Sequence, residues 1–324
     1  MKSIKLFIQL FTFILLFSST VTAQVDRSEP PKAKPAPKIE IKEPETFQLD
    51  NGLQVILAEN HEVPMVYFQL AVEVDPVKEG DAVGYVSATG QLLRNGTENK
   101  TKAEIDEAID YIGANLYTYS NGIYATCLSS QKDKLLEIIS DVLLNPTFPQ
   151  EELDKLKQNE ISGLAQQKTN ASAIASRVGR KLRYIDHPYG EMKTEKTIEN
   201  ISRDHILDYY NTFYKPNASY LVISGDINMD EAKKLAEQYF GDWEKAEVPE
   251  HNYDFPGLSE GRKVALVNKD DAVQSVISIN YPVRLKPGDA DAIKARVTNH
   301  ILGGGGFSAY LMQNLREDKG YTYG

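Results

Sequence analysis

Few side chains in this chain combine in ways that suggest chemistry on their own. His61, His187, His205, His251 and His300 are isolated from one another and from cysteine, so no pair stands one helical turn apart with both imidazoles on one face. The single Cys127 rules out an intrachain disulfide and any cysteine metal centre, and reads as a small apolar core residue. His187 sits in the turn His187-Pro188-Tyr189-Gly190 ahead of a helical segment, which makes it structural. The other four histidines read as solvated or packed side chains. Gly303-Gly304-Gly305-Gly306-Phe307-Ser308 has the glycine density of a phosphate loop but no Gly-Lys-Ser/Thr ending and no preceding parallel strand.

The elements that would position a site follow from periodicity. Val83, Val86, Leu92 and Leu93 fall at mixed three- and four-residue spacing, and Asn95-Gly96 closes the run, which predicts a short helix over 81–94. Ahead of it, Phe47-Gln48-Leu49-Asp50-Asn51-Gly52-Leu53-Gln54-Val55-Ile56-Leu57 reads as a hairpin around Asn-Gly, and 65–74 as another strand. After it come a helix over 103–112 and two strands within 117–129 around Asn121-Gly122. Helices over 134–144, 150–167 and 202–213, a strand over 218–224 and a helix over 230–240 follow. Strands succeeded by paired helices, with few βαβ alternations, argue for an α+β sandwich.

Composition bounds the class. The chain is 41% hydrophobic and 25% charged with a net charge of −10, and an acidic balance without a Lys/Arg-rich block argues against nucleic acid as its main partner. A charged start, an apolar run from Leu6 through Phe17 and Val21-Thr22-Ala23 before Gln24 make residues 1–23 a secretory signal peptide. That apolar core is shorter than the roughly 20 residues a spanning helix needs. Residues 24–45, rich in Pro, Lys and Glu, read as an extended tether.

Gly84-Tyr85-Val86-Ser87-Ala88-Thr89-Gly90-Gln91-Leu92-Leu93-Arg94-Asn95-Gly96-Thr97 resembles the metal-binding helix of the pitrilysin/insulinase family of zinc metallopeptidases. The likeness extends through Asn145-Pro146-Thr147-Phe148, His187-Pro188-Tyr189-Gly190, Phe213-Tyr214 with Pro216-Asn217, Val222 with Ser224-Gly225-Asp226, and Tyr239-Phe240-Gly241-Asp242-Trp243, in order. The family carries His-x-x-Glu-His in that helix: two zinc-binding imidazoles and a glutamate base. Placed here, the motif puts Ser87 and Gln91 at the histidine positions and Gly90 at the glutamate position. A hydroxyl and a neutral amide are poor zinc ligands, and glycine cannot take a proton. The family's third ligand, a glutamate on the later long helix, falls at Ser162 or Gly163, with Glu160 expected off the ligand face.

The resemblance implies an α+β fold of two homologous α/β-sandwich halves, the metallohydrolase fold of the processing-peptidase type, with the second half incomplete. Residues 46–248 form the N-terminal peptidase-like domain with a degenerate zinc site, and 249–324 the start of a truncated C-terminal one. In that second part, 261–267 and 273–281 read as strands and 289–302 as a helix, repeating the order of the first half, and the stop at Gly324 reads as that of a fragment. In active relatives an Arg and a Tyr of the second half reach the zinc site and position substrate. Their counterparts are Arg316 and Tyr323.

The implied function is that of a zinc-less subunit, binding no zinc itself, which pairs with a zinc-bearing homologue and supplies Arg316 and Tyr323 against an extended peptide. Heterodimeric members of the family divide labour in this way. Such a chain is exported, to the periplasm or outside the cell, and has no membrane span after signal cleavage. A non-catalytic scaffold or peptide-binding pseudo-peptidase stands as the alternative, and an active zinc peptidase with displaced ligands as a third reading.

Overall fold

A computed structural model describes residues 43–254, 261 and 263–324 of the chain. The expected signal peptide and nearly all of the expected tether lie outside the described residues, and the first strand begins at Glu45, one residue inside the predicted tether.

Among the described residues six strands form one open sheet: β1 (Glu45–Gln48), β2 (Gln54–Glu59), β3 (Met65–Val72), β4 (Asn115–Tyr119), β5 (Gly122–Leu128) and β6 (Ser219–Gly225). Their order is β1-β2-β6-β3-β5-β4, and only the β2–β6 pair is parallel. The period-two pattern decides which face is covered. Val66, Phe68 and Leu70 of β3 are buried while Tyr67 and Gln69 are exposed, and in β6 Leu221 and Ile223 are buried between half-exposed neighbours. Each Phe or Leu so removed from water contributes roughly 2–3 kcal/mol.

Two turns differ from expectation. The first hairpin is not a tight Asn-Gly turn: Gln48 pairs with Gln54, leaving a longer loop in which the Asn51 amide donates to the carbonyls of Phe240, Gly241 and Trp243. The second is a tight turn, but its two connecting residues are Ser120 and Asn121, and Gly122 already opens β5.

Helices cover the buried face. In chain order they are α1 (Tyr85–Leu92), α2 (Lys102–Tyr111), α3 (Lys132–Leu144), α4 (Gln150–Lys168), α5 (Ala171–Arg183), α6 (Glu195–Asn200), α7 (Arg203–Phe213) and α8 (Met229–Phe240). Thr101 and Ser202 cap α2 and α7, each closed by a reciprocal bond from the third helical residue. In the second case that residue is His205, whose ring accepts from the Ser202 N–H at 3.2 Å. Leu135, Ile138, Ile139 and Val142 of α3, Ile206 and Phe213 of α7 and Leu235 and Phe240 of α8 join the strands in one core. Cys127 belongs to it, a small apolar core residue as expected, and burial pushes its thiol up to about 11.

Beyond α8 the picture changes. The segment around 292–318 is helical: α9 (Ala292–Asn299), π-helical His300–Gly304, then the turn Tyr310–Met312 continued by π-helical Gln313–Asp318. The strands expected over 261–267 and 273–281 are absent among the described residues, where Val264, Leu266, Val273, Ile277 and Ile279 are exposed. Alternation marks a half-buried strand only when another strand lies alongside, and no described segment does. Among the described residues the part beyond α8 has helical segments and no sheet of its own. Among the described residues no helix is long and apolar enough to cross a membrane.

One buried carboxylate ties the loop after α1 to α3. Asp141 accepts from Thr97 Oγ1 at 2.7 Å, Asn99 Nδ2 at 2.6 Å and Asn145 Nδ2 at 3.0 Å. Burial alone would push this carboxyl up, but those hydrogen bonds and the nearby Lys100 charge outweigh it and hold it below the usual range. A lowered folded-state value means that the stabilisation is present above the unfolded-state pKa and is lost as pH falls through the folded one. Asp141→Ala is expected to cost about 3 kcal/mol in urea unfolding at neutral pH. The gap between variant and parent should narrow only in strong acid; a gap independent of pH would contradict this account.

Candidate functional site

The candidate site is built around α1. Its first turn has no side-chain cap of its own, and Glu79 serves instead: one carboxylate oxygen accepts from the backbone of Gly84 at 2.8 Å and of Val86 at 2.9 Å. Burial pushes the Glu79 carboxyl up against the opposing pull of those bonds. Glu191 in turn accepts from the N–H groups of Glu79 and Gly80, at 2.7 and 3.1 Å. Asn200 Nδ2 donates to Asp81 O, docking the end of α6 against the same loop. These ties fix where α1 starts and how it is turned.

The face so presented is not a metal site. Ser87 Oγ donates to Gly84 O at 3.0 Å, within its own helix. The Gln91 amide nitrogen lies 3.4 Å from Ser87 O and 3.5 Å from a Glu160 carboxylate oxygen, so it turns a donor toward that carboxylate. The other Glu160 oxygen holds the Lys193 ammonium at 3.0 Å. Ser87, Glu160, Lys157 and Lys193 line a shallow depression floored by Leu153, Leu156, Ile198 and Ile201. The donor set does not fit zinc: one carboxylate, already neutralised, faces a hydroxyl and an amide donor, with a fixed cation beside it. Among the described residues no group of three or more His, Cys, Asp or Glu could hold a metal ion.

The orientation of α4 corrects one expectation. Glu160 is not turned away from α1; it reaches Gln91, while Ser162 donates to Gln158 O on its own exposed side and a Cβ added at Gly163 would meet open space. The reason is the packed stripe of α4: Leu153, Leu156, Glu160 and Leu164 recur every three or four residues, and the stripe carries 160 toward α1. Lys193, Glu79 and Glu191 were not found by motif reasoning. Their only signal is that they precede and follow the organised segments 80–97 and 187–190.

Gly90 is closed rather than merely empty. A Cβ there would overlap the backbone nitrogen of Ser120 and the carbonyl carbon of Tyr119. That turn is held in place by two phenols of the α7 region: Tyr209 donates to Ser120 O at 3.1 Å and Tyr214 to Tyr119 O at 3.0 Å. No side chain, and so no glutamate, fits at 90 unless the β4–β5 turn moves.

The second-half residues stand apart. Arg316 rests its guanidinium over the Phe307 ring at 4.4 Å and lies 3.5 Å from Glu317, and Tyr323 is 87% exposed. Neither is brought to Ser87, Gly90 or Gln91 by any hydrogen bond or ion pair among the described residues. His187 caps its own turn, its ring accepting from the Tyr189 N–H at 3.1 Å, in keeping with a structural part.

Two glycines one substitution apart should behave oppositely. Gly90→Ala is expected to destabilise by about 3 kcal/mol or more through backbone displacement. Gly163→Ala, mid-helix with space around it, should stabilise by roughly 0.5–1 kcal/mol. Chemical denaturation of the two variants checks this; a well-tolerated Gly90→Ala would remove the argument for a closed site.

Comparison with known proteins completes the picture. Residues 54–183 match the family described as "Insulinase (Peptidase family M16)", and residues 200–324 match "Peptidase M16 inactive domain". An uncharacterized zinc protease of Rickettsia bellii is 27% identical over 287 residues, covering 85% of this chain and 67% of that protein. A protein of Helicobacter pylori named "Non-peptidase homolog YmxG" is 22% identical over 276 residues, covering 83% of this chain and 63% of that one. The chain thus spans about two thirds of the length of these relatives. The crystal structure of a peptidase M16 inactive domain from Pseudomonas fluorescens superimposes with a TM-score of 0.72 at 24% identity, over 87% of this chain and 70% of that one, which shows the fold. With both matches in chain order and neither His nor Glu at positions 87, 90 and 91, the chain belongs to the insulinase (M16) peptidase family as a member lacking the His-x-x-Glu-His motif.

Proposed function

We propose that this chain is the zinc-free subunit of a two-chain insulinase-family peptidase. A zinc-bearing homologue supplies metal and base; this chain supplies Arg316 and Tyr323, a cation and a phenol that can steady a substrate carbonyl and its developing oxyanion. The substrate is an extended peptide held between the two chains. In the same proposal residues 1–23 direct export to the periplasm or outside the cell, 24–45 tether the folded part, and the two peptidase-like halves are 46–248 and 249–324.

The observation that carries the reading is an asymmetry. The positions for zinc chemistry are replaced and, at Gly90, sterically closed, whereas the segment bearing Arg316 and Tyr323 is retained with its phenol exposed and its guanidinium only locally engaged. The outer strand β4 also leaves one edge of the sheet, beside α1, to which an extended chain could add.

Two measurements test this. Zinc content of the purified chain after dialysis against trace metal is expected well below one per chain, and one zinc per chain would overturn the assignment of the zinc to a partner. In the pair reconstituted with a co-purifying His-x-x-Glu-His homologue, Arg316→Ala and Tyr323→Ala should each lower kcat, by about a hundredfold for a lost oxyanion donor, with assembly intact. Unchanged activity would leave this chain as a non-catalytic scaffold or peptide-holding surface.

A further inference from the structure

Helix α5 was not anticipated from the sequence, although Ile174, Val178 and Leu182 recur at one-turn spacing. Its charge sets it apart in an acidic protein. From 161 to 185 the chain carries Lys168, Arg177, Arg180, Lys181 and Arg183 and no Asp or Glu. Ile174 and Val178 lie on one side of the helix and are half-buried, with Arg177 half-buried beside them; Arg180 and Lys181 are exposed, and Arg183 on the far side is half-buried.

Lys168 is paired with Glu195, but no carboxylate among the described residues lies within ion-pair distance of Arg177, Arg180, Lys181 or Arg183. Arg177 donates to Lys193 O at 2.6 Å, and Arg183 stacks on Tyr184 at 5.3 Å; Arg180 and Lys181 are exposed. The Arg177 bond ties α5 to the loop carrying Lys193, which lines the depression at Ser87 and Glu160. Of the carboxylates nearby, Glu195 pairs with Lys168 and also feels the Arg177 charge, Glu160 is neutralised by Lys193, and Glu79 and Glu191 are turned onto backbone N–H groups, so none is paired with Arg180 or Lys181.

We infer that the exposed face of α5 is a docking surface for acidic polypeptide, so that the peptide held beside α1 is selected for Asp and Glu residues along the stretch that crosses α5. The inference rests on the peptide-holding reading above and adds the substrate class. Charge complementarity is its ground: a local cationic face on a chain of net charge −10 attracts an anion only at short range, which favours a docked segment over general steering. An anionic lipid surface is disfavoured because Ile174 and Val178 are already half-covered by the protein, which leaves Leu182 and Ile185 at one end as the exposed apolar side chains of the segment.

The test uses the full chain and two extended synthetic peptides, one alternating Asp and Glu with small residues, the other its Asn/Gln counterpart, read by fluorescence anisotropy. The acidic peptide is expected to bind at least about tenfold more tightly at low salt, the advantage vanishing in high salt. Arg180→Glu with Lys181→Glu, both on the surface, should abolish the difference while the thermal midpoint and far-UV spectrum stay unchanged. Equal binding of both peptides would overturn the acidic preference and leave the peptide-holding reading standing. Binding of neither would overturn both. Retention on phosphatidylglycerol but not phosphatidylcholine vesicles, without peptide binding, would reassign the surface to lipid.

Discussion

The backbone of the β4–β5 turn lies directly against α1 at Gly90, and the rest of the first half is arranged to hold it there. Two tyrosine hydroxyls clamp the carbonyls of that turn, and burial raises the pKa of Tyr209 and of Tyr214, so both remain proton donors at any ordinary pH. Tyr209 also meets Tyr85 of α1, whose ring stacks on His205 at 5.5 Å, so α7 grips helix and turn together. The contact explains why the absence of a glutamate here is a property of the packing. Restoring a base would require moving a strand end, not one side chain.

Charge in the neighbourhood has been reorganised around the same helix. In a zinc site a dication would balance the carboxylate on the long helix; here an ammonium from the loop before α6 does so, through a half-exposed pair at 3.0 Å. A lysine carries its counter-charge on a covalent stem, and the Lys193 stem also packs along Gly84. The tie between α1, α4 and that loop is thus kept by side chains alone. An exposed pair of this kind adds little stability, at most about 1 kcal/mol, and its effect is one of placement.

Much of this was legible in the sequence, for identifiable reasons. Long periodic segments such as 134–144 and 230–240 appear as helices nearly where their apolar spacing puts them, because packing and propensity agree. The replaced motif at Ser87, Gly90 and Gln91 was readable because its spacing to Gly84, Gly96 and Thr97 is intact. What was not legible depends on tertiary contact. The face of α4 is set by Leu153, Leu156 and Leu164, and a loop lysine finds Glu160 only in the folded chain. Asn51-Gly52 has the composition of a tight turn but its amide is drawn to the end of α8. The alternating residues 263–281 lack a neighbour, and local pattern carries no information about neighbours.

Strand order has a consequence for how the chain acquires its structure. β6 is the last strand of the first half to be synthesised, yet it lies third in the sheet, parallel to β2 on one side and antiparallel to β3 on the other. Until residues 219–225 emerge, β1-β2 and β3-β5-β4 are separate ribbons with unsatisfied inner edges, and Asn51 waits for carbonyls nearly two hundred positions away. Such non-local closure is slow and leaves strand edges open to wrong partners. A half-made chain of this topology keeps those inner edges unpaired until the last strand slots in between β2 and β3.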